Sequence, residues 1–332
     1  MKRITTAFAT SFRTRLLAFY DAQHRKLPWR ASNDPYRVLV SEFMLQQTRV
    51  ETVIPYFQRW LTRFPDVCTL ADAHPDDVLK HWEGLGYYSR ARNLQRAAQM
   101  VRERHNGAVP SNYTELKALP GVGDYTAAAV ASISYAVPLA AVDGNVKRVL
   151  SRLLDLEDPS PAQLQKHAGT LLDSRRPGDF NQAMMELGAT ICTPRAPACP
   201  SCPVKRLCRA RRNNTIALRP APKKRSVLPH EQINTLVAVH NHETLVVQRP
   251  DRGLLAGLWE FPSVDEITGY NCVGDVTHTF THKRITYKVY VTGDRAQAPD
   301  RACWIPLSQL NELALPAAQR RVAKLALPFF GL

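Results

Sequence analysis

From Thr10 to about Arg212 the apolar residues recur at helical spacing, and polar or special residues punctuate the breaks. The first stretch, Met1 to Leu17, interleaves Arg13 and Arg15 with Phe8, Phe12, Leu16 and Leu17, the pattern of an amphipathic helix and not of a signal peptide. Pro75 stands where a helix begins and Gly84 where one exits, while Asn112 with Glu115 reads as a start signal. The pattern changes at Asn213. Residues 213–229 read NNTIALRPAPKKRSVLP, with Lys223, Lys224 and Arg225 among prolines, which predicts an extended basic linker. Beyond it, Ile233 to Val239 and Thr244 to Arg249 are β-rich runs around a turn at His240 to Glu243. Ile285, Tyr287, Val289 and Val291 alternate as a half-buried strand does. A helix from Ala317 to Leu327 closes this α+β half. The expected division is a helical domain over 1–212, the linker over 213–229 and an α+β domain over 230–332.

Composition narrows the partners. The chain has 332 residues, 45% of them apolar, enough to bury about two cores, and a formal charge of +15 suits a protein that neutralises phosphates. No apolar run approaches the ~20 residues of a membrane span. Seven cysteines with a single clustered set argue against a secreted disulfide scaffold and for a reducing, cytoplasmic compartment, nucleoid-associated if the source is bacterial. On this reading Cys68, Cys272 and Cys303 are free and structural.

The clustered set is Cys192, Cys199, Cys202 and Cys208, spaced C-x6-C-x2-C-x5-C among Arg195, Lys205, Arg206, Arg209, Arg211 and Arg212 with no acid between. Four soft thiolates select zinc or an iron–sulfur cluster, and the spacing leaves both open. The segment Leu116 to Ala129, LKALPGVGDYTAAA, reads as helix, glycine hairpin and small-residue helix. Gly121 and Gly123 are expected to take backbone angles denied to other residues, turning amides and a helix N-terminus toward a DNA phosphate.

Two acids carry the candidate chemistry. Glu42 in VLVSEFMLQQT has Val38, Leu39, Val40, Phe43, Met44 and Leu45 around it, and burial among them favours the protonated acid near neutral pH. Asp143 in AVDGNVKR sits at a predicted N-cap, where helix dipole and amides are expected to hold it ionised. An acid to protonate a leaving group and a carboxylate to meet an oxocarbenium ion are the equipment for cleaving a glycosidic bond. On DNA that bond joins base to deoxyribose. Reaching it requires extruding the nucleotide, and Leu45, Gln46, Gln47, Tyr87 and Tyr88 are candidates to fill the gap.

SEFMLQQT, GLGYYSRARNL, LPGVGDYTAAA, VDGNVKRVLSR, the four-cysteine segment and GLWEFP together resemble the MutY family of the helix-hairpin-helix DNA glycosylase superfamily. The resemblance implies a mostly α glycosylase domain with a [4Fe–4S] loop, followed by a Nudix-like α+β domain. It implies a monomer that excises adenine opposite 8-oxoguanine or guanine in double-stranded DNA, by a retaining mechanism and without strand cleavage. Glu42 matches the general acid, Asp143 the carboxylate that stabilises or traps the sugar cation, and Tyr125 a residue assisting Asp143. Tyr125 also stands where lyase relatives similar to endonuclease III carry lysine. Lys147 is a phosphate contact on this reading. Gln47 and Tyr87 match the stack around 8-oxoguanine, with Leu45 nearby. Arg25, Leu27, Trp29, Arg30 and Glu186 match the adenine pocket. Phe280, Thr281 and His282 match the motif that senses 8-oxoguanine, with threonine where serine is common. After Gly253–Pro262 the glutamate-rich Nudix metal signature is missing, so the second domain is expected to bind and not to hydrolyse.

Three rival readings make different demands. A pyrimidine-damage glycosylase with lyase activity would nick its strand unaided, a non-enzymatic iron–sulfur DNA sensor would have no use for Glu42 and Asp143 together, and a nucleotide pyrophosphatase would need the missing metal signature.

Overall fold

The computed structural model describes residues 4–222 and 227–332; Lys223, Lys224 and Arg225 of the expected linker lie outside the described residues. The helices in chain order are α1 Thr6–Gln23, α2 Pro35–Leu45, α3 Val50–Arg63, α4 Val67–Asp72, α5 Pro75–His81, α6 Ser89–Arg104, α7 Tyr113–Ala118, α8 Asp124–Tyr135, α9 Gly144–Leu154, α10 Pro161–Leu171, α11 Pro177–Thr190, α12 Arg209–Arg212 and, after the sheet, α13 Ala317–Ala326. The strands are β1 His230–His240, β2 Glu243–Gln248, β3 Trp259–Glu260, β4 Asn271–Thr279, β5 Arg284–Thr292 and β6 Ala302–Pro306. They pack as two compact units. One runs through Ala71 and resumes at Arg96 up to the linker; the other joins Asp72–Gln95 to the chain after it.

In the first unit α1, α9, α10 and α11 share one core, built from Phe12, Leu16, Leu150, Leu171, Phe180 and Leu187. The helix read over Met1 to Leu17 starts at Thr6, where Thr5 caps it, and continues to Gln23 because Phe19 and Tyr20 extend the buried stripe. α2 is unusual for a helix ending at the surface. Asp34 caps it by accepting from the Arg37 amide (2.8 Å), Pro35 opens it, and eight of its residues, Glu42 among them, are buried. A helix apolar on nearly every side must run through a core. The alanines of α8 are buried without bulk, which permits close approach to its neighbours.

The segment read as an extended linker departs from that expectation in its first part. Ile216–Leu218 forms a turn of 3-10 helix, and Asp155 holds it, accepting from Thr215 Oγ1 (2.6 Å), Asn213 Nδ2 (2.7 Å) and Arg219 Nε (2.8 Å). The basic composition that suggested an extended linker in part supplies a cation to one carboxylate.

In the second unit the sheet runs β3-β2-β1-β5-β4, with β6 pairing the free side of β2. β1 and β5 are parallel, in register from His230 with Arg284 to Ala238 with Thr292, and the other pairs are antiparallel. The alternation in β5 buries Ile285, Tyr287 and Val289 against α13. The β1–β2 turn falls where the sequence placed it, with Asn241 (φ 48°) and His242 (φ 63°) both left-handed, as a tight hairpin demands. Within this unit Glu83 pairs with Arg320, and Gln248 Nε2 donates to Asp76 (3.2 Å). Cys68 and Cys272 are exposed, so they do not serve the packing role expected of them; only Cys303 is partly covered.

Candidate active site

α2 carries Glu42 inward, and α9 begins at Asp143. Both line a cavity of about 810 Å³ in the first unit, together with Arg25, Leu27, Trp29, Arg30, Leu45, Gln47 and Tyr125. Nine residues singled out from separate stretches of sequence thus meet around one space. Glu186 stands behind it, buried, gripped by Arg25 Nε (2.8 Å) and Arg30 Nη2 (3.0 Å). Burial alone would raise its pKa, but the two guanidiniums hold it below the usual carboxylate value. Trp29 turns an edge to Phe57 at 5.5 Å while facing the cavity, so its core and pocket roles coexist.

Glu42 is 5% exposed, and its Oε2 has no hydrogen-bond partner among the described residues. Burial pushes its pKa up to about 7; the neighbouring Tyr125 hydroxyl opposes the shift and the nearby Asp143 charge adds to it. An acid in that state keeps a proton to give at neutral pH. Asp143 caps α9 as expected, accepting from the Val146 amide (2.6 Å) and from Asn145 Nδ2 (2.9 Å). Its pKa corrects the sequence reading: burial raises it above the ordinary value, outweighing the capping amides expected to hold it down. Desolvation wins because the cap faces a cavity wall and not bulk water.

Three features escaped the sequence. Asn145 and Arg148 line the cavity, and Arg148 Nη2 donates to Asn145 Oδ1 (2.8 Å) while its Nε donates to the Cys192 carbonyl (2.7 Å). A chain of hydrogen bonds therefore runs from Asp143 through Asn145 and Arg148 to the cysteine loop. Gly188 explains itself only in three dimensions: a Cβ there would meet Asn145 Cβ at 2.7 Å, so α9 and α11 meet this closely because it is glycine. Asn181, buried in α11, accepts from the Ala141 amide (3.0 Å) and donates to the Leu139 carbonyl (2.8 Å), which fixes the segment leading into Asp143. A sequence signal existed for Asn145 and Arg148 in their spacing from an N-cap, but it is equally the spacing of a solvated helix turn.

The hairpin between α7 and α8 is present, with one correction. Gly121 is left-handed (φ 76°) and needs glycine. Gly123 caps α8 at φ −93°, ψ −179°, extended backbone open to any residue, and a Cβ there would meet nothing within 4 Å; its gift is an open helix N-terminus. Lys147 lies one turn into α9, partly buried, outside the cavity lining. Gln47 (φ 58°) is exposed at the end of α2. Tyr87, in the second unit, is 40% exposed at φ 47°, with the Arg90 guanidinium 5.5 Å from its ring centroid. Phe280, Thr281 and His282 form the β4–β5 tip, closed by the Phe280 amide on the Lys283 carbonyl (2.8 Å), and His278 packs edge-on to Phe280 at 4.5 Å. No helix follows β3 where a Nudix metal helix would lie: residues 261–270 are irregular.

Cys192, Cys199, Cys202 and Cys208 line one cavity with Arg152, Lys205 and Arg211 and no carboxylate or imidazole. Among the described residues no group of three or more Cys, His, Asp or Glu side chains is arranged to hold a single metal ion. Four thiols around a common space, ringed by cations, fit a soft anionic group such as an iron–sulfur cluster. Among the described residues no helix is long and apolar enough to cross a membrane.

Comparison with known proteins agrees with this architecture. Residues 40–173 match the HhH-GPD superfamily of base excision DNA repair proteins, and residues 234–325 match the NUDIX domain. The helical part is similar to a thermostable thymine-DNA glycosylase (29% identity, TM-score 0.60, covering 64% of this chain and all of that one) and to endonuclease III in a non-covalent DNA complex (26%, 0.56, 64% and 99%). The class is therefore a helix-hairpin-helix base excision repair enzyme with a Nudix-like domain appended. Adenine DNA glycosylases resemble most of the chain: that of Homo sapiens at 37% identity over 95% of this chain and 74% of its own length, that of Mus musculus at 39% over 96% and 78%, and one from Buchnera aphidicola at 34% over 76% and 73%. The chain belongs to the adenine DNA glycosylase family and is a DNA glycosylase, a hydrolase of base excision repair.

Proposed function

We propose that the chain excises adenine paired with 8-oxoguanine or guanine from duplex DNA, with Glu42 as general acid and Asp143 as the anion that meets the sugar cation. The observation that carries the reading is the buried, partner-free Oε2 of Glu42 in the same cavity as Asp143. In this reading the adenine enters between Trp29 and Leu27, and Arg25, Arg30 and Glu186 fix the wall behind it. Glu42 delivers its proton to the adenine ring nitrogen N7, the glycosidic bond breaks, and positive charge grows on deoxyribose within reach of Asp143. Stabilisation or covalent trapping by Asp143 on the face opposite the leaving base, followed by water on the vacated face, gives retention. Tyr125, whose hydroxyl donates to Met185 Sδ (3.6 Å), stands beside Glu42 and Asp143 and offers no amine to form a Schiff base. Leu45 and Gln47, which line the cavity, fill the space left by extrusion. The amides near Gly121 and Gly123, with Lys147, take backbone phosphates. Cys192, Cys199, Cys202 and Cys208 would hold a [4Fe–4S] cluster, which when bound pins the basic loop as a DNA-contacting surface.

A duplex holding one adenine opposite 8-oxoguanine tests the proposal. Free adenine should appear before any alkali, with no strand break until alkali is added. Strand cleavage without alkali would favour the lyase reading, and no release would remove the assignment.

In the second domain, residues 230–332 in this reading, Phe280, Thr281 and His282 recognise 8-oxoguanine. Phe280→Ala with His282→Ala should narrow the preference for 8-oxoguanine over guanine by up to about tenfold, the worth of one net hydrogen bond. Single-turnover rates on the two duplexes check it, and an unchanged ratio would refute the sensing role.

A further inference from the structure

Arg152, in the last turn of α9, is 4% exposed. Among the described residues no carboxylate forms an ion pair with its guanidinium. Its partners are carbonyls and one sulfur. Nε donates to Ile216 (3.2 Å) and Arg219 (3.1 Å), Nη1 to Thr193 (2.6 Å) and Cys192 (3.4 Å), and Nη2 to Pro194 (3.1 Å). Nη1 also lies 3.4 Å from Cys192 Sγ, and the Cys208 thiol donates to the Arg152 carbonyl (3.3 Å). Carbonyl dipoles alone compensate poorly for burying a whole charge, so a cation in such a site calls for an anion nearby. The candidate anion is in the same cavity: Arg152 lines the space shared by the four cysteines. Four thiolates around an iron–sulfur core leave net negative charge.

We infer that Arg152 is a positioning residue with two tasks: buried counter-ion to the thiolate cluster through Cys192, and clasp between the cysteine loop (Cys192–Pro194) and the segment leaving the helical unit (Ile216–Arg219). The inference rests on the cluster reading above. Its physical consequence is that loading the cluster and ordering the start of the linker are coupled. With the anion present the guanidinium is paired and holds both segments; without it, the charge favours water and loosens both. N–H···S donation and positive charge also stabilise the more reduced cluster, so losing them moves its reduction potential to more negative values.

The test uses the full chain purified with its cluster. Iron and acid-labile sulfide are measured first on the native protein, then on Arg152→Gln and Arg152→Lys. The visible absorbance is followed under a strong iron chelator, and amide hydrogen exchange is read at 192–193 and 213–219. Arg152→Gln should lose its cluster about tenfold faster, as expected for losing a charged hydrogen bond, with exchange rising in both segments together and the potential moving negative. Lysine keeps the charge but lacks the planar fork. It should retain the native potential more closely while still exchanging faster at 213–219. If Arg152→Gln fails to fold, Arg152→Lys alone decides, and native loss rate and native exchange in it would overturn the inference. A loaded native protein whose variants behave identically to it would overturn the role of Arg152 and leave the cluster reading standing. A native protein without iron and sulfide would sink both.

Discussion

Replacing Glu42 with glutamine is expected to lower the single-turnover rate of adenine release on the order of 100- to 10,000-fold, the usual worth of a positioned general acid, while affinity for the mispaired duplex changes little. The substitution is close to isosteric. It replaces a carboxyl whose pKa already stands at about 7 with a neutral amide of the same shape, so the surrounding apolar wall stays filled. The amide cannot deliver a proton to the leaving base. Gel-shift affinity alongside base release separates the outcomes: equal loss of both would mean a folding defect and would withdraw support from general-acid catalysis.

Asp143→Asn should cost on the order of 100- to 1,000-fold in the same rate, as the removal of a preorganised charge from a developing cation does. Asparagine caps helices about as well as aspartate, so α9 should still start at the same residue, supported by the Val146 amide. Lost interaction with the helix dipole is worth only ~0.3–1 kcal/mol, so thermal unfolding should move by a few degrees at most. A variant that binds mispaired DNA, melts near the native temperature and still excises at the native rate would remove Asp143 from the mechanism.

How much of this was legible in the sequence depended on distance along the chain. Local signals read well: Asn112 caps α7 by accepting from the Glu115 amide (2.9 Å), Pro75 opens α5, and the strand alternation at Ile285 to Val291 sits in β5. Glu42 could be picked out because its neighbours on every side are apolar, which is itself a statement about burial. The misreadings share a cause. Asp143 was legible as a cap but not as buried, since a cap motif says nothing of what packs across it, and burial reversed the direction of its pKa. Gly123 looked like Gly121 in sequence and differs only in φ. Residues 213–222 read as extended because Asp155, which ties Thr215 and Arg219 down, lies some sixty positions earlier. Arg152 and Gly188 were invisible for the same reason, and the spacing of Asn145 and Arg148 could not be told from a solvated turn: each matters through a partner on another element.

General-acid catalysis here depends on the protonation state of one side chain. Titrating the Glu42 carboxyl by carbon-13 NMR in the native chain, with Glu42→Gln identifying its signal, should give a midpoint near 7. Excision under single-turnover conditions should fall as pH rises through that value, because the acid form is the active one. A carboxyl that ionises in the ordinary carboxylate range, with excision unaffected between pH ~5 and ~8, would contradict the account.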